Sequence, residues 1–425
     1  MQRTFERVLA VLSSLGLSCV LLMLLALLTW LGTLEQQHTG LFEVQRKYFE
    51  SLVLIHHVGS VPVPVPGAAR VLGLLFVNLI VGGILRMRRG VATFGVLITH
   101  VGIALLIVAG LIKLRWSDDG HVTLYEGQAS NTFQSYHHWE VALLEKLDGA
   151  RVRESVVPQG AFTWATGDEA VRVSGAAWPF TLELRHFAAN ANIAPKGPMV
   201  QSSVPAVDGY VMLPAQVEAE NEANLAGLHA TIVDPDGARR ELLLWGATRA
   251  PFTFERDGRT FGLELRREQF VMPFTVRLMD FEKEDHPRMA MAKSFSSDVA
   301  VLEDGSSRNV RIEMNEPLRA HGLVLYQASW GPSNARPGDP LFSTLAVVRN
   351  PADQHPLIAC IVIAVGMLLK RSVVVPVRQA VEAAENLASG RFGMDASVAK
   401  ADEIGDLLRS IAKAEEVVRS FTLAQ

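Results

Sequence analysis

The run FGVLITHVGIALLIVAGLI, Phe94 to Ile112, holds nineteen residues and no formal charge. At about 1.5 Å per residue, a helix of that length crosses a hydrocarbon layer roughly 30 Å thick. Inside such a layer each backbone polar group must be satisfied within the protein, so a run of this kind is expected as a spanning helix. Three further apolar runs extend the reading. Val8 to Leu34 is longer than a signal-peptide core and has no clear small-x-small cleavage site, so it is expected as an uncleaved helix. Val71 to Leu85 reaches spanning length once Gly67 to Arg70 is included. Leu357 to Leu369 reaches it only if Lys370 and Arg371 snorkel and SVVVPV continues the helix. The expected spans are therefore 8–34, 68–86, 94–112 and 355–375.

Basic residues orient these spans. Arg3 and Arg7 precede the first, RMRRG (Arg86 to Gly90) separates the second from the third, and Lys370 and Arg371 follow the fourth. All fall on one side, expected to be cytoplasmic; Lys113 and Arg115 are the exception. The expected fold is a multi-pass α-helical membrane protein in a bacterial inner membrane, with both termini cytoplasmic. Residues 116–354 form a large extracytoplasmic all-β domain, and 376–425 a cytoplasmic helical tail.

Period-two patterning supports the β assignment. In FTLELRHF, Phe180, Leu182 and Leu184 face one way; FTVRLMDF and NVRIEM repeat the alternation. Asp-Gly, the preferred pair for tight hairpin turns, recurs at 148–149, 208–209, 236–237, 257–258 and 304–305. A sandwich or two stacked β modules is expected.

Chemistry-bearing patterns are sparse. The two cysteines, Cys19 and Cys360, lie in separate apolar runs, which leaves no dithiol centre or disulfide framework. The histidine pairs 56–57 and 137–138 are sequence neighbours and do not converge on one metal in a strand or helix. His121, His186, His229, His286 and His321 are scattered, and surface or hydrogen-bonded roles suit them. No phosphate loop, GxSxG or HExxH is present, so no catalytic residues and no metal site are expected. A net charge of -4 gives no reason to expect nucleic acid as a partner.

Several stretches resemble the ResB (CcsB) family of System II cytochrome c biogenesis: LGTLEQQ (Leu31 to Gln37), THVGIALLIVAG (Thr99 to Gly110), PFTVRLMDFEKEDHPRMAMAKSFSSDVAVLEDG (Pro273 to Gly305) and, most strongly, IEMNEPLRAHGLVLYQASWG (Ile312 to Gly331). The resemblance covers about Met1 to Leu369. It implies one half of a membrane complex that passes haem outward and attaches it to apocytochrome c. The other half, a ResC (CcsA)-type protein, supplies a tryptophan-rich haem segment. The seven tryptophans here are dispersed and there is no CxxCH, so the chain is expected as a non-catalytic subunit of the haem lyase. By the same resemblance Asn315, Pro317, Tyr326, Gln327 and Trp330 are expected to fix the return of the chain to the membrane.

The tail resembles a different module, the HAMP domain of bacterial receptors. Pro376 follows the fourth span, Gly390 opens a connector, and DEIG (Asp402, Glu403, Ile404, Gly405) starts the second helix. Val377, Ala380, Ala384 and Leu387, then Ile404, Leu407, Ile411, Ala414, Val418 and Phe421, step by three and four, as heptad seams do. This implies a homodimeric four-helix bundle; an amphipathic helix on the membrane is the plainer alternative. It also opens a second reading of the whole chain, a membrane sensor with a β ligand-binding domain and a HAMP relay. Against that, no kinase, cyclase or methyl-accepting segment occurs through Gln425.

One residue of the opening run is out of place. His100 lies inside the apolar segment, where an ionisable side chain is costly without a partner. A hydrogen bond to a neighbouring helix, to Asn78 or a backbone carbonyl, is the simpler role. The ResB resemblance places a membrane histidine at this same HxG position. It implies that His100 is one axial ligand of a transient haem b, with the second ligand from the ResC-type partner. Gly95 and Gly102 leave room for a macrocycle or a partner helix.

Overall fold

A computed structural model describes residues 2–58, 61–149, 151–200, 202–286, 292–332, 336, 339–391 and 403–423. The chain divides into two compact units. One comprises 1–34, 44–116 and 351–425; the other comprises 35–43 and 117–350.

The first unit is helical. Its elements are α1 (Gln2–Leu12), α2 (Leu15–Thr39), α3 (Ala68–Asn78), α4 (Val91–Trp116), α5 (His355–Leu369), α6 (Val375–Ala388) and α7 (Glu403–Leu423). Among the described residues, four helical stretches are long and apolar enough to cross a membrane: Leu15–Thr39, Ala68–Leu85, Thr93–Trp116 and His355–Ala388. The run expected as one helix over 8–34 is two. The chain breaks at Ser13-Ser14, and Ser14 Oγ accepts from the backbone N–H of Leu17, 3.2 Å away. Asn78, buried on α3, seals the break. Its Nδ2 donates to the carbonyls of Leu12 (2.7 Å) and Ser14 (3.1 Å), and its Oδ1 accepts from Ser18 Oγ (2.6 Å). A side-chain amide supplies two donors and an acceptor, and here all three are used. Upstream of the break, α1 sets Phe5, Val8 and Leu9 against Arg3, Glu6 and Arg7, an amphipathic helix.

The second span, α3, continues into a π-helical stretch, Leu79–Leu85. The fourth is longer than expected. α5, a π-helical stretch at Lys370–Val374 and α6 follow one another without a break from His355 to Ala388. Pro376 lies just beyond that π stretch. Proline has no N–H and crowds the preceding turn of an α-helix, and the wider turn relieves both problems. α4 and α5 pack through small residues. A Cβ on Gly95 would come 2.7 Å from Gly366 O, and one on Gly102 3.0 Å from Ala359 O, so the backbones touch. Between α2 and α3, the strands β1 (Val53–Val58) and β2 (Val61–Pro66) form an antiparallel ribbon.

The second unit is β-rich, as the alternation predicts. In chain order it contains β3 (Asp118–Tyr125), β4 (Ala129–Lys146), β5 (Val152–Pro158), β6 (Val171–Val173), β7 (Thr181–Ala188), β8 (Ala191–Pro195), β9 (Tyr210–Pro214), β10 (Gly227–Val233) and β11 (Arg239–Trp245). There follow β12 (Phe252–Arg256), β13 (Arg259–Asp285), β14 (Ala292–Glu303), β15 (Ser306–Ile312), β16 (Leu318–Ala320), β17 (Leu323–Gly331) and β18 (Phe342–Arg349). A large antiparallel sheet runs β15-β14-β13-β4-β3-β18-β17-β16, with β12 and β5 attached to β13 and β4; a smaller one runs β11-β10-β7-β6. Two cores result. One gathers Val141, Leu143, Leu182, Leu228, Leu244, Phe261 and Leu263. The other gathers Phe133, Phe274, Val276, Leu278, Val299, Leu325 and Val347. The long strands β4 and β13 serve both, so the modules share a sheet.

The Asp-Gly pairs divide by geometry. Asp208-Gly209, Asp257-Gly258 and Asp304-Gly305 have positive φ at both residues, and the last two close two-residue hairpins β12–β13 and β14–β15. At 148–149 and 236–237 only the glycine has positive φ.

Candidate functional site

His100 sits on α4, facing the end of the π stretch that follows α3. Its Nδ1 lies 2.8 Å from Gly83 O. A carbonyl can only accept, so Nδ1 carries a proton, and in the neutral imidazole Nε2 then carries the lone pair. The contact has a local cause. Gly83 belongs to the last turn before the helix ends at Leu85, where carbonyls outrun the available intrahelical donors. Glycine is needed there because a Cβ at position 83 would come 2.7 Å from the ring nitrogen. Asn78 is engaged with the α1–α2 break instead. Gly95 and Gly102 are filled by α5, so the space they create belongs to helix packing and not to a flat ligand. A haem meeting His100 would therefore approach from the Nε2 side. The tautomer fits that use: a ligating histidine typically donates its other ring N–H to a carbonyl, which fixes the ring.

The five residues expected near the return to the membrane fall into two places. Asn315, at φ +67°, turns the chain between β15 and β16, where Glu313 and Glu316 form a bridge, and Pro317 follows. Tyr326, Gln327 and Trp330 lie along β17. Gln327 joins a polar knot in which Ser297 Oγ donates to Gln327 Oε1 (2.6 Å) and Gln327 Nε2 donates to Ser343 Oγ (2.9 Å). Trp330 stacks on Phe281 at 6.0 Å with Lys283 Nζ 4.4 Å over the ring. Tyr326 is partly exposed, opposite Ala346. Gln327 and Trp330 tie β17 to the neighbouring strands, a bracing role within the sheet.

A cluster that sequence patterning does not reveal lies in the β unit. Arg267 of β13 stacks on Trp139, 4.1 Å from its ring, and donates to the carbonyls of Tyr136 (2.8 Å), Asn221 (3.0 Å) and Asn224 (2.8 Å). His137 stacks on Phe42 at 3.8 Å and its Nδ1 meets Asn221 Nδ2 at 2.9 Å, so that nitrogen accepts. His121 stacks on Tyr136 at 4.8 Å. Burial dominates the protonation of this group. It pushes the Tyr136 hydroxyl up to about 12, brings Arg267 down to about 10 and lowers His121 and His137 below their ordinary value. Both imidazoles are neutral near pH 7. These partners come from five separated segments, which no local pattern could have joined. Among the described residues, no group of three or more His, Cys, Asp or Glu is placed to hold a metal.

In the tail, Gly390 has φ +72° and ends α6. Arg391 N–H donates to Asn386 O at 2.9 Å, closing the turn as a left-handed glycine cap does. Asp402 lies outside the described residues. Glu403 opens α7, and Gly405 is buried in its first turn. The buried face of α7 carries Gly405, Leu408 and Glu415; of the expected seam, Ile404 and Ile411 are half-buried and Leu407, Ala414 and Val418 are exposed.

Residues 252–339 match the model of the ResB-like family, and residues 368–412 match that of the HAMP domain. The chain carries a ResB-like domain and a HAMP domain. The ResB-like match runs from β12 through β17 and so takes in the shared strand β13 and the whole β14–β15 hairpin. The HAMP match begins at Met367's neighbour Leu368, inside the fourth candidate span, and covers α6 and the first half of α7. No curated protein matches the chain. The ResB-like domain supports a role related to cytochrome c biogenesis.

Proposed function

We propose that this chain is the ResB-type membrane subunit of a System II complex that delivers haem for attachment to apocytochrome c, working with a ResC (CcsA)-type partner. The carrying observation is the ResB-like match at 252–339 in a chain with four candidate membrane spans. In this reading the four candidate spans cross the bacterial inner membrane, with the β unit outside and the HAMP domain inside, the orientation that the basic residues at 3, 7, 86, 88, 89, 370 and 371 favour.

In this reading His100 would be one of the residues holding a transient haem b. Gly83 O holds the Nδ1 proton, which orients the ring and leaves the Nε2 lone pair available. The partner contributes the second ligand. When bound, the haem supplies the vinyl groups that become thioethers on the apocytochrome. The β unit acts as a rigid scaffold that holds the apocytochrome near the haem without performing chemistry. The HAMP domain forms a four-helix bundle from two copies of the chain, which covers Leu407 and Val418.

The test is His100→Ala in the purified complex. Haem content should fall and cytochrome c maturation should stop, and added imidazole should restore part of both. An alanine variant with full haem and an unchanged absorption spectrum makes His100 a helix-packing residue only. The uninterrupted helix 355–388, entering the HAMP domain, favours the sensor reading as the alternative. A maturation defect on deleting residues 116–354, with no change in any response-regulator output, separates the two.

A further inference from the structure

An unassigned cavity lies in the helical unit, where α4 begins and the π-helical stretch after α5 runs. It encloses about 270 Å³ and is lined by Gly90, Phe94, Leu369, Val373 and Val374. No lining side chain is polar. Phe94 and Val373 keep 55% and 37% of their surface exposed, so the cavity opens sideways from the helices. Its size falls just below the ~300–1,000 Å³ of pockets for drug-sized ligands. The π stretch shapes it: the extra residue that accommodates Pro376 also brings Val373 and Val374 to the wall.

The rim is as distinctive as the interior. Arg88 and Arg89 immediately precede Gly90, and Lys370 and Arg371 immediately follow Leu369; all four are exposed. No carboxylate among the described residues pairs with any of them. A purely apolar pocket bordered in the chain by four exposed basic side chains suits a molecule with a hydrocarbon tail and an anionic head. A free phosphate has no use for the pocket, and a neutral lipid none for the cations.

We propose that this is a binding site for one anionic phospholipid, with a segment of acyl chain in the cavity and the phosphate against Arg88, Arg89, Lys370 and Arg371. The rule that basic clusters at the ends of spanning helices attract anionic headgroups supplies the attraction. The site adjoins the junction between the fourth span and the HAMP domain, so the lipid stabilises the π stretch in its present register. The proposal holds whether or not His100 ligates haem.

The experiment uses the full chain purified in mild detergent and titrated with phosphatidylglycerol or phosphatidylcholine of the same acyl length. Native mass spectrometry reads the lipid retained per chain. One phosphatidylglycerol should be retained in strong preference to phosphatidylcholine, at roughly fivefold for each basic side chain engaged. The exposed pair K370Q/R371Q should cut that preference about tenfold or more, and V373W should reduce retention of both lipids. Inorganic phosphate should not displace the lipid. Circular dichroism of each variant confirms that the helices are kept, and F94L supplies a gentler change to the same wall. Equal retention of the two lipids by the unaltered chain overturns the proposal. So does displacement by phosphate alone, or retention unchanged in both V373W and K370Q/R371Q. A disulfide between two chains at V373C in a C19S/C360S background means that a second copy covers the pocket, and also overturns it.

Discussion

At the residue scale, the placement of His100 depends on a neighbour with no side chain. Gly83 allows the imidazole to approach its carbonyl, so Gly83→Ala should push the ring out of place; the added carbon would sit 2.7 Å from Nδ1. The expected outcome is a haem loss close to that of His100→Ala with the helices intact. Gly73→Ala, with open space around its Cβ, is the control and should be silent. Full haem in Gly83→Ala would show that ring position is not critical. Two half-buried histidines of the β unit give a pH dependence whose sign follows from their shifts. His121 and His137 have folded-state values below the ordinary 6.5. The unfolded chain therefore binds more protons in that range, and stability is fully present above pH 6.5 and lost as the pH falls below it. The thermal midpoint of the β unit should drop between pH 7 and pH 5. His137→Phe, which keeps a ring against Phe42, should flatten that slope; an unchanged slope would assign it to other groups.

At the element scale, the break at Ser13-Ser14 depends on one amide. Asn78→Ala would leave the carbonyl of Leu12 short of its donor, while Ser14 O keeps the N–H and hydroxyl of Ser18. A buried group left unsatisfied costs about 1–3 kcal/mol, so a comparable loss is expected in a denaturant or thermal-shift measurement. Asn78→Asp, which keeps the acceptor and removes the donors, should recover little. If alanine costs nothing measurable, water replaces the amide. The double serine was visible in the sequence, but a hydropathy reading runs across it because neither residue is charged. The π stretches are equally silent, since they differ from α-helix by one residue of register and not by composition. Turn chemistry was more legible. Asp257-Gly258 and Asp304-Gly305 are hairpin turns as their pairs indicate, whereas His321-Gly322, with φ +51° and +76°, plays the same part between β16 and β17 without an Asp or Asn to announce it.

At the scale of the whole molecule, the tail makes the clearest prediction. A HAMP bundle built from two chains should bury the faces that one chain leaves open. In a cysteine-free background, cysteine at Leu407 or Val418 should crosslink between chains under mild oxidation, and cysteine at the buried Leu408 should not. Equal crosslinking at all three positions would mean that α6 and α7 do not form a dimeric bundle. The heptad stepping located the right helices, but the side packed within a chain is offset, with Leu408 inward and Leu407 outward. A seam of repeating apolar residues states that a helix has partners; it does not state which partner takes which row.

The sequence alone determined what local chemistry can encode. Runs of uncharged apolar residues gave the candidate spans, period-two alternation gave the strands, and the blocks from Pro273 to Gly331 and from Pro376 onward pointed to the ResB-like and HAMP segments. Each of these depends on residues a few positions apart, where hydrophobic periodicity and backbone preference act directly. The tertiary structure alone decided which separated groups meet: Asn78 with the helix break, His100 with Gly83 O, Gly95 and Gly102 with α5, and Phe42, His137, Asn221 and Arg267 with one another. Those contacts depend on register and on crossing geometry summed over whole helices and sheets. A shift of one residue in the chain would leave its hydropathy unchanged and move every one of them.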